Sequence, residues 1–241
     1  MKKQTLFVLA MAAAMTAAMA QVTPKEEVIR NSGINKFSHF GIGITGGIDR
    51  NYHIVDMSYM GDYQYSKYAP GTAYGLHVSY APTRWLSFCL DGVMIQKNYY
   101  RAHVTNNMSF PDTTTNEYVN VPLVMKLTVG KKVRLHAFGG GYVGYWLTSN
   151  RRGRAMGMSG NPEYDVDIDF TSAESIKRDN RLDAGFTYGA GLSGMIYRHF
   201  EVGAEIRWYY GVLDIQNEYM STVSPRYNTT MVIQGGLSYW F

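Results

Sequence analysis

Leu182-Asp183-Ala184-Gly185-Phe186-Thr187-Tyr188-Gly189-Ala190-Gly191-Leu192 is the stretch that decides the fold. Its larger apolar side chains fall at every second position, with Asp183, Gly185, Thr187, Gly189 and Gly191 between them. The pattern runs on past Ser193 to Ile196, turns through Tyr197-Arg198-His199-Phe200, and resumes. Val202, Ala204, Ile206, Trp208 and Tyr210 then alternate with Glu201, Gly203, Glu205, Arg207 and Tyr209. A helix would bring apolar residues round every third or fourth position, whereas a period of two belongs to a strand with unlike faces. Two such strands joined by so short a turn make a hairpin.

The same period recurs upstream and downstream. Phe40, Ile42, Ile44 and Ile48 mark one strand, and Tyr74, Leu76, Val78 and Tyr80 a second. Leu86, Phe88, Leu90 and Met94 mark a third, and Val119, Val121, Leu123, Met125 and Leu127 a fourth. A Gly-rich fifth runs from Val133 to Leu147, and Met231, Ile233, Leu237, Tyr239 and Phe241 mark the last. The pattern predicts eight strands with alternating connections: short near 81–84, 130–132 and 197–200, long near 49–72, 98–117, 148–181 and 213–228. Tyr164, Val166, Ile168 and Phe170 alternate with Asp165, Asp167 and Asp169 inside the third long connection. That segment reads as half of a hairpin with part of 151–158, standing above the main body; ten strands is the alternative. Pro122 lies inside a strand, where a missing ladder donor predicts a bulge.

Long loops gathered at one end fit an eight-stranded antiparallel up-and-down transmembrane β-barrel with long extracellular loops. An even count puts both ends of the ring on one side, so first and last strands can pair. A soluble barrel with its faces inverted fits the alternation equally well. The N-terminus favours the membrane: Lys2 and Lys3, an apolar run from Leu6 to Ala18, then Ala18-Met19-Ala20 form a signal peptide over 1–20. A retained anchor is the alternative. The expected organisation is that signal peptide, a periplasmic N-terminal segment at 21–37 and an outer-membrane β-barrel at 38–241. Tyr74, Tyr80, Trp85, Tyr210, Tyr239 and Trp240 stand near strand ends, where an interfacial aromatic girdle belongs.

Composition narrows the function. Mean hydropathy is −0.22, and Lys2 and Lys3 account for two of the formal +4 charges, so nucleic acid is not an expected partner. One cysteine, Cys89, excludes an internal disulfide, and the six histidines are scattered. No metal and no cofactor are expected.

At the closing strand, Gly235-Gly236-Leu237-Ser238-Tyr239-Trp240-Phe241 resembles the C-terminal signal of outer-membrane proteins. Leu237, Tyr239 and Phe241 would be its insertion residues, and the barrel-insertion machinery the partner it implies. The chain also resembles the PorT-like outer-membrane β-barrel family of Bacteroidota. The likeness rests on Tyr118-Val119-Asn120-Val121-Pro122-Leu123, Gly139-Gly140-Gly141-Tyr142-Val143-Gly144-Tyr145, Tyr188-Gly189-Ala190-Gly191-Leu192 and Tyr209-Tyr210-Gly211-Val212-Leu213-Asp214-Ile215. It implies a porin-like barrel without an assigned activity, with a tie to protein secretion in the namesake branch. Asp112-Thr113-Thr114 resembles the short O-glycosylation site of exported proteins of that group.

Three sets of side chains are candidates for function. Asp91, Lys126, Arg134, Glu201, Glu205 and Arg207 fall on the inward faces and form a lumen polar network, since a barrel this narrow has room only for side chains. A narrow conducting pore is the alternative. Arg151, Arg152 and Arg154 are the loop binding candidates, suited to lipopolysaccharide phosphates or to an unknown protein partner. His77 and Ser79 share a face, the minimum for acyl chemistry, yet they face away from lipid and lack a Gly-x-Ser-x-Gly elbow. The expected role is therefore a non-enzymatic scaffold or interaction protein acting through surface loops. The alternative is a small porin-like channel.

Overall fold

In a computed structural model the described residues are 39–54, 63–66, 69–105, 108–154, 162–169, 171, 179–215 and 226–241. They form β1 (Phe40–Ile54), β2 (Tyr63–Ser66), β3 (Ala69–Tyr80), β4 (Leu86–Gln96), β5 (Tyr99–Thr105) and β6 (Met108–Gly130). β7 (Val133–Arg154), β8 (Glu163–Asp167), β9 (Leu182–Tyr197), β10 (Phe200–Gly211) and β11 (Tyr227–Trp240) complete the chain. The expected signal peptide at 1–20 and the expected 21–37 segment lie outside the described residues.

Eight of these strands close into a ring, in the order β6-β4-β3-β1-β11-β10-β9-β7 and back to β6. Every neighbouring pair is antiparallel. Closure joins the first ring strand to the last, from Gly41 opposite Trp240 to Ile54 opposite Tyr227. The eight strands legible in the alternation are the eight of the ring. At the short end, Gly130 takes φ 115°, a conformation that favours glycine, and a Cβ there would lie 2.3 Å from the Val133 carbonyl oxygen. β6 can therefore reverse into β7 through Lys131 and Lys132 alone.

The faces are those of a membrane barrel. Phe40, Ile42 and Ile44 on β1, Leu76 and Val78 on β3, and Leu123 and Leu135 on β6 and β7 are exposed outward. On β6 the apolar band runs from Val119 to Val129; ten steps of about 3.3 Å, tilted by about 40°, give roughly 25 Å of bilayer-facing height. Tyr80, Trp85, Tyr210 and Tyr239 are exposed near strand ends, whereas the exposed Tyr74 lies midway along β3. Trp240 departs from the expected girdle: its indole turns inward and donates to Glu201 Oε2 at 2.6 Å. Its parity explains this, because Leu237, Tyr239 and Phe241 occupy the outward positions of that end.

The long connections differ from the expected loops. β5 falls inside 98–117 and pairs with the start of β6, Tyr99 opposite Thr114 to Thr105 opposite Met108. β2 falls inside 49–72 and adds to β5. In the third long connection the expected hairpin is present: β7 continues to Arg154, and β8 pairs with that extension, Asn150 opposite Asp167 to Arg154 opposite Glu163. The result is a five-stranded sheet, β2-β5-β6-β7-β8, standing on the loop end of the ring. Runs such as Thr113-Thr114-Thr115 are polar but β-prone, so polarity there signals exit from the bilayer rather than loss of strand. Pro122 makes no bulge. The β4 ladder passes from Leu90–Leu123 to Val93–Asn120 without a change of register, skipping the two positions opposite Pro122 and Val121. The irregularity in β6 lies earlier, between Glu117 and Tyr118.

Candidate functional site

The lumen is filled in two tiers. The tier nearer the short turns is ionic and holds all six residues of the expected polar network. Arg207 on β10 is its hub: Nη1 donates to Asp91 Oδ2 at 2.5 Å, and Nη2 lies 2.8 Å from Glu205 Oε1. Glu205 also accepts from Gln234 at 2.7 Å and meets Lys126 Nζ at 3.4 Å and His136 Nε2 at 3.5 Å. The Phe138 ring lies beneath both cations, 4.8 Å from the Arg207 guanidinium carbon and 5.5 Å from Lys126 Nζ. At the rim, Arg134 pairs with Glu201, which also takes the Trp240 indole N–H. Three acids thus face three bases. A polar cavity of about 60 Å³ remains among them, bordered by His77, Asp91, His136 and Ser238; it has space for a few waters.

The second tier was not legible as a site. Lys97, just past the end of β4, places Nζ 2.5 Å from Asp183 Oδ2 on β9, and neither side chain is exposed at all. Asp183 also accepts from Tyr142 Oη at 3.1 Å and Asn228 Nδ2 at 3.0 Å. The Lys97 ammonium lies 4.7 and 5.1 Å from the ring centroids of Tyr118 and Tyr142. Tyr118 stacks on Trp146 with centroids 5.7 Å apart, and Tyr142 meets Tyr209 edge-on at 5.2 Å. With Val93, Ile95 and Val232 they form a buried cluster across the lumen. Asp183 sits on the polar side of the decisive alternation, and Lys97 continues the inward parity of Val93 and Ile95. That parity was the available signal, hidden because position 97 borders an expected loop.

The pair His77 and Ser79 is not arranged for acyl chemistry. His77 and Ser79 share the inward face but bond apart: His77 Nε2 lies 2.9 Å from Ser238 Oγ, and Ser79 Oγ donates to Cys89 Sγ at 3.3 Å. His77 Nδ1 is buried without a hydrogen-bond partner, so no acid orients the ring as a general base requires. Among the described residues no group of three or more His, Cys, Asp or Glu could hold a metal ion.

The three arginines of the loop end part company. Arg152 Nε pairs with Asp165 Oδ2 at 2.7 Å, and Arg154 pairs with Glu163, so β8 neutralises both. Arg151 points to the other face of the sheet, half-buried opposite Val166. The phosphate-binding trio expected at the loop end is not formed as a cluster. Beyond β8, Thr171 donates from Oγ1 at 2.7 Å and from its backbone N–H at 2.8 Å to Asp169. These bonds hold that carboxyl below the usual aspartate range. On β6, Thr113 is exposed while its neighbour Asp112 is buried.

A closed ring with this filled lumen and apolar exterior accords with the family comparison. A family model described as outer membrane protein beta-barrel domain matches residues 19–217. The chain belongs to that family. Its members' location is the chain's own, so the barrel lies in the outer membrane, with β-strands crossing it. No curated protein matches the chain. Among solved structures, Ail, the attachment invasion locus protein of Yersinia pestis, is 13% identical, with 84% of this chain and 100% of that one covered at a TM-score of 0.39. Neisserial surface protein A is 12% identical over 84% and 97% of the two chains, TM-score 0.44. OprG from Pseudomonas aeruginosa is 11% identical over 85% and 97%, TM-score 0.47.

Proposed function

We propose that this outer-membrane barrel is a non-enzymatic interaction protein whose working surface is the sheet at its loop end. The observation that carries the reading is the division of labour along the strands. Inside the barrel Asp91, Lys126, Arg134, Glu201, Glu205 and Arg207 pair with one another, as do Lys97 and Asp183, and above them β6 and β7 continue as a broad platform edged by β2 and β8. Interaction residues concentrate where a rigid scaffold presents a surface to solvent. Tyr100, Thr113, Arg152 and Asp165 stand in one row across four strands of that platform, mixing aromatic and charged groups of the kind common at binding hot spots. The partners proposed are lipopolysaccharide or an unidentified surface protein, with the barrel-insertion machinery acting at Leu237, Tyr239 and Phe241 during assembly. The resemblance to PorT-like barrels of Bacteroidota adds a tie to protein secretion.

A photo-crosslinking residue at position 113, in cells, tests the reading. A discrete crosslinked product is expected there and not from a crosslinker at the lipid-facing position 123. Identical yields at both would count against the platform. A second reading, a small porin-like channel, has the polar cavity of about 60 Å³ in its favour.

A further inference from the structure

We propose that the short-turn end of the barrel is a collar for anionic phospholipid head groups, formed by Arg84, Lys131, Lys132 and Arg198. This goes beyond the role of the platform at the opposite end and does not depend on it. Each of the three short turns carries at least one of these cations, and none of the turns contains Asp or Glu. All four side chains are exposed. Among the described residues none of them is ion-paired, and Arg198 lies 5.9 Å over the ring of Tyr197.

Their placement narrows the partner. In the ring order the β6–β7 turn is followed by the β3–β4 turn, then the β1–β11 closure, then the β9–β10 turn. The cations are therefore spread round three quarters of the rim. A protein docked on one side would need a contiguous patch of roughly 800 Å², whereas separated cations facing outward match small anions that surround the barrel. Trp85, Tyr80, Tyr197, Phe40 and Phe241 are exposed at the same end, and such aromatics sit at head-group depth. Cations beside them meet phosphate, where each adds to anionic-lipid attraction.

The test uses the folded barrel in vesicles carrying dibrominated phosphatidylglycerol or dibrominated phosphatidylcholine, read by tryptophan quenching. A Trp208→Phe background isolates Trp85, because Trp146 and Trp240 point inward. Phosphatidylglycerol should be preferred about 3- to 10-fold at low salt, falling toward parity at about 1 M salt. The variant Arg84→Gln/Lys131→Gln/Lys132→Gln/Arg198→Gln should show no preference at any salt. Equal quenching by both lipids with the native turns would overturn the proposal, as would a preference retained by the variant. The salt titration decides without the variant if it does not fold.

Discussion

Replacing Asp183 by Asn attacks the most enclosed charge pair in the barrel. The carboxylate receives Lys97, Tyr142 and Asn228, all without exposure to solvent at the pair itself. In Asp183→Asn the Lys97 ammonium is left facing two tyrosine rings, and removing one member of a buried pair costs about 3–5 kcal/mol. Lys97→Met should cost less, about 1.5–3 kcal/mol, the worth of one hydrogen bond to a charged group, because Tyr142 and Asn228 still serve the carboxylate. The double variant should be more stable than Asp183→Asn alone, since no charge is stranded. Reversible urea unfolding in phospholipid vesicles, followed by tryptophan fluorescence, measures all three. The reasoning fails if Asp183→Asn lies within about 1 kcal/mol of the native barrel, or if the double variant is the least stable.

Three further outcomes follow from the same geometry. Trp240→Phe removes the indole donor to Glu201 while keeping an aromatic ring, and should cost about 1.5 kcal/mol in the same assay. Glu205→Gln strands Lys126 but leaves Arg207 its bond to Asp91, so its cost should fall at the lower end of about 3–5 kcal/mol. Arg152→Ala and Arg154→Ala break exposed pairs and should each change stability by less than about 1 kcal/mol, with even smaller effects at high salt.

The ring was legible because alternation is enforced on both sides, by lipid outside and by a crowded polar lumen inside. Glu201, Glu205 and Arg207 on one strand could be placed inward from parity alone, and the opposite charges of Lys126, Arg134 and Asp91 followed. What escaped were features set by partners distant in sequence. Lys97 and Asp183 lie 86 residues apart, and no local pattern links them. The hairpin expected between part of 151–158 and the Tyr164 segment already brings acidic residues near Arg152 and Arg154; only the register, with Asp165 and Glu163 opposite them, needed the structure. Pro122 suggested a bulge because a missing donor can shift the register; the ladder instead omits two positions and continues in the same register. Trp240 was grouped with outward aromatics by residue type, although its parity already pointed inward.

Single-channel recording across a planar bilayer tests most directly whether the lumen is a packed support, as proposed, rather than a passage. The purified barrel should give no stable unitary steps, while Asp183→Asn and Glu205→Gln, which loosen the two tiers, should give brief, noisy openings. Steady, well-resolved conductance from the unaltered barrel would contradict the account and establish the channel in its place.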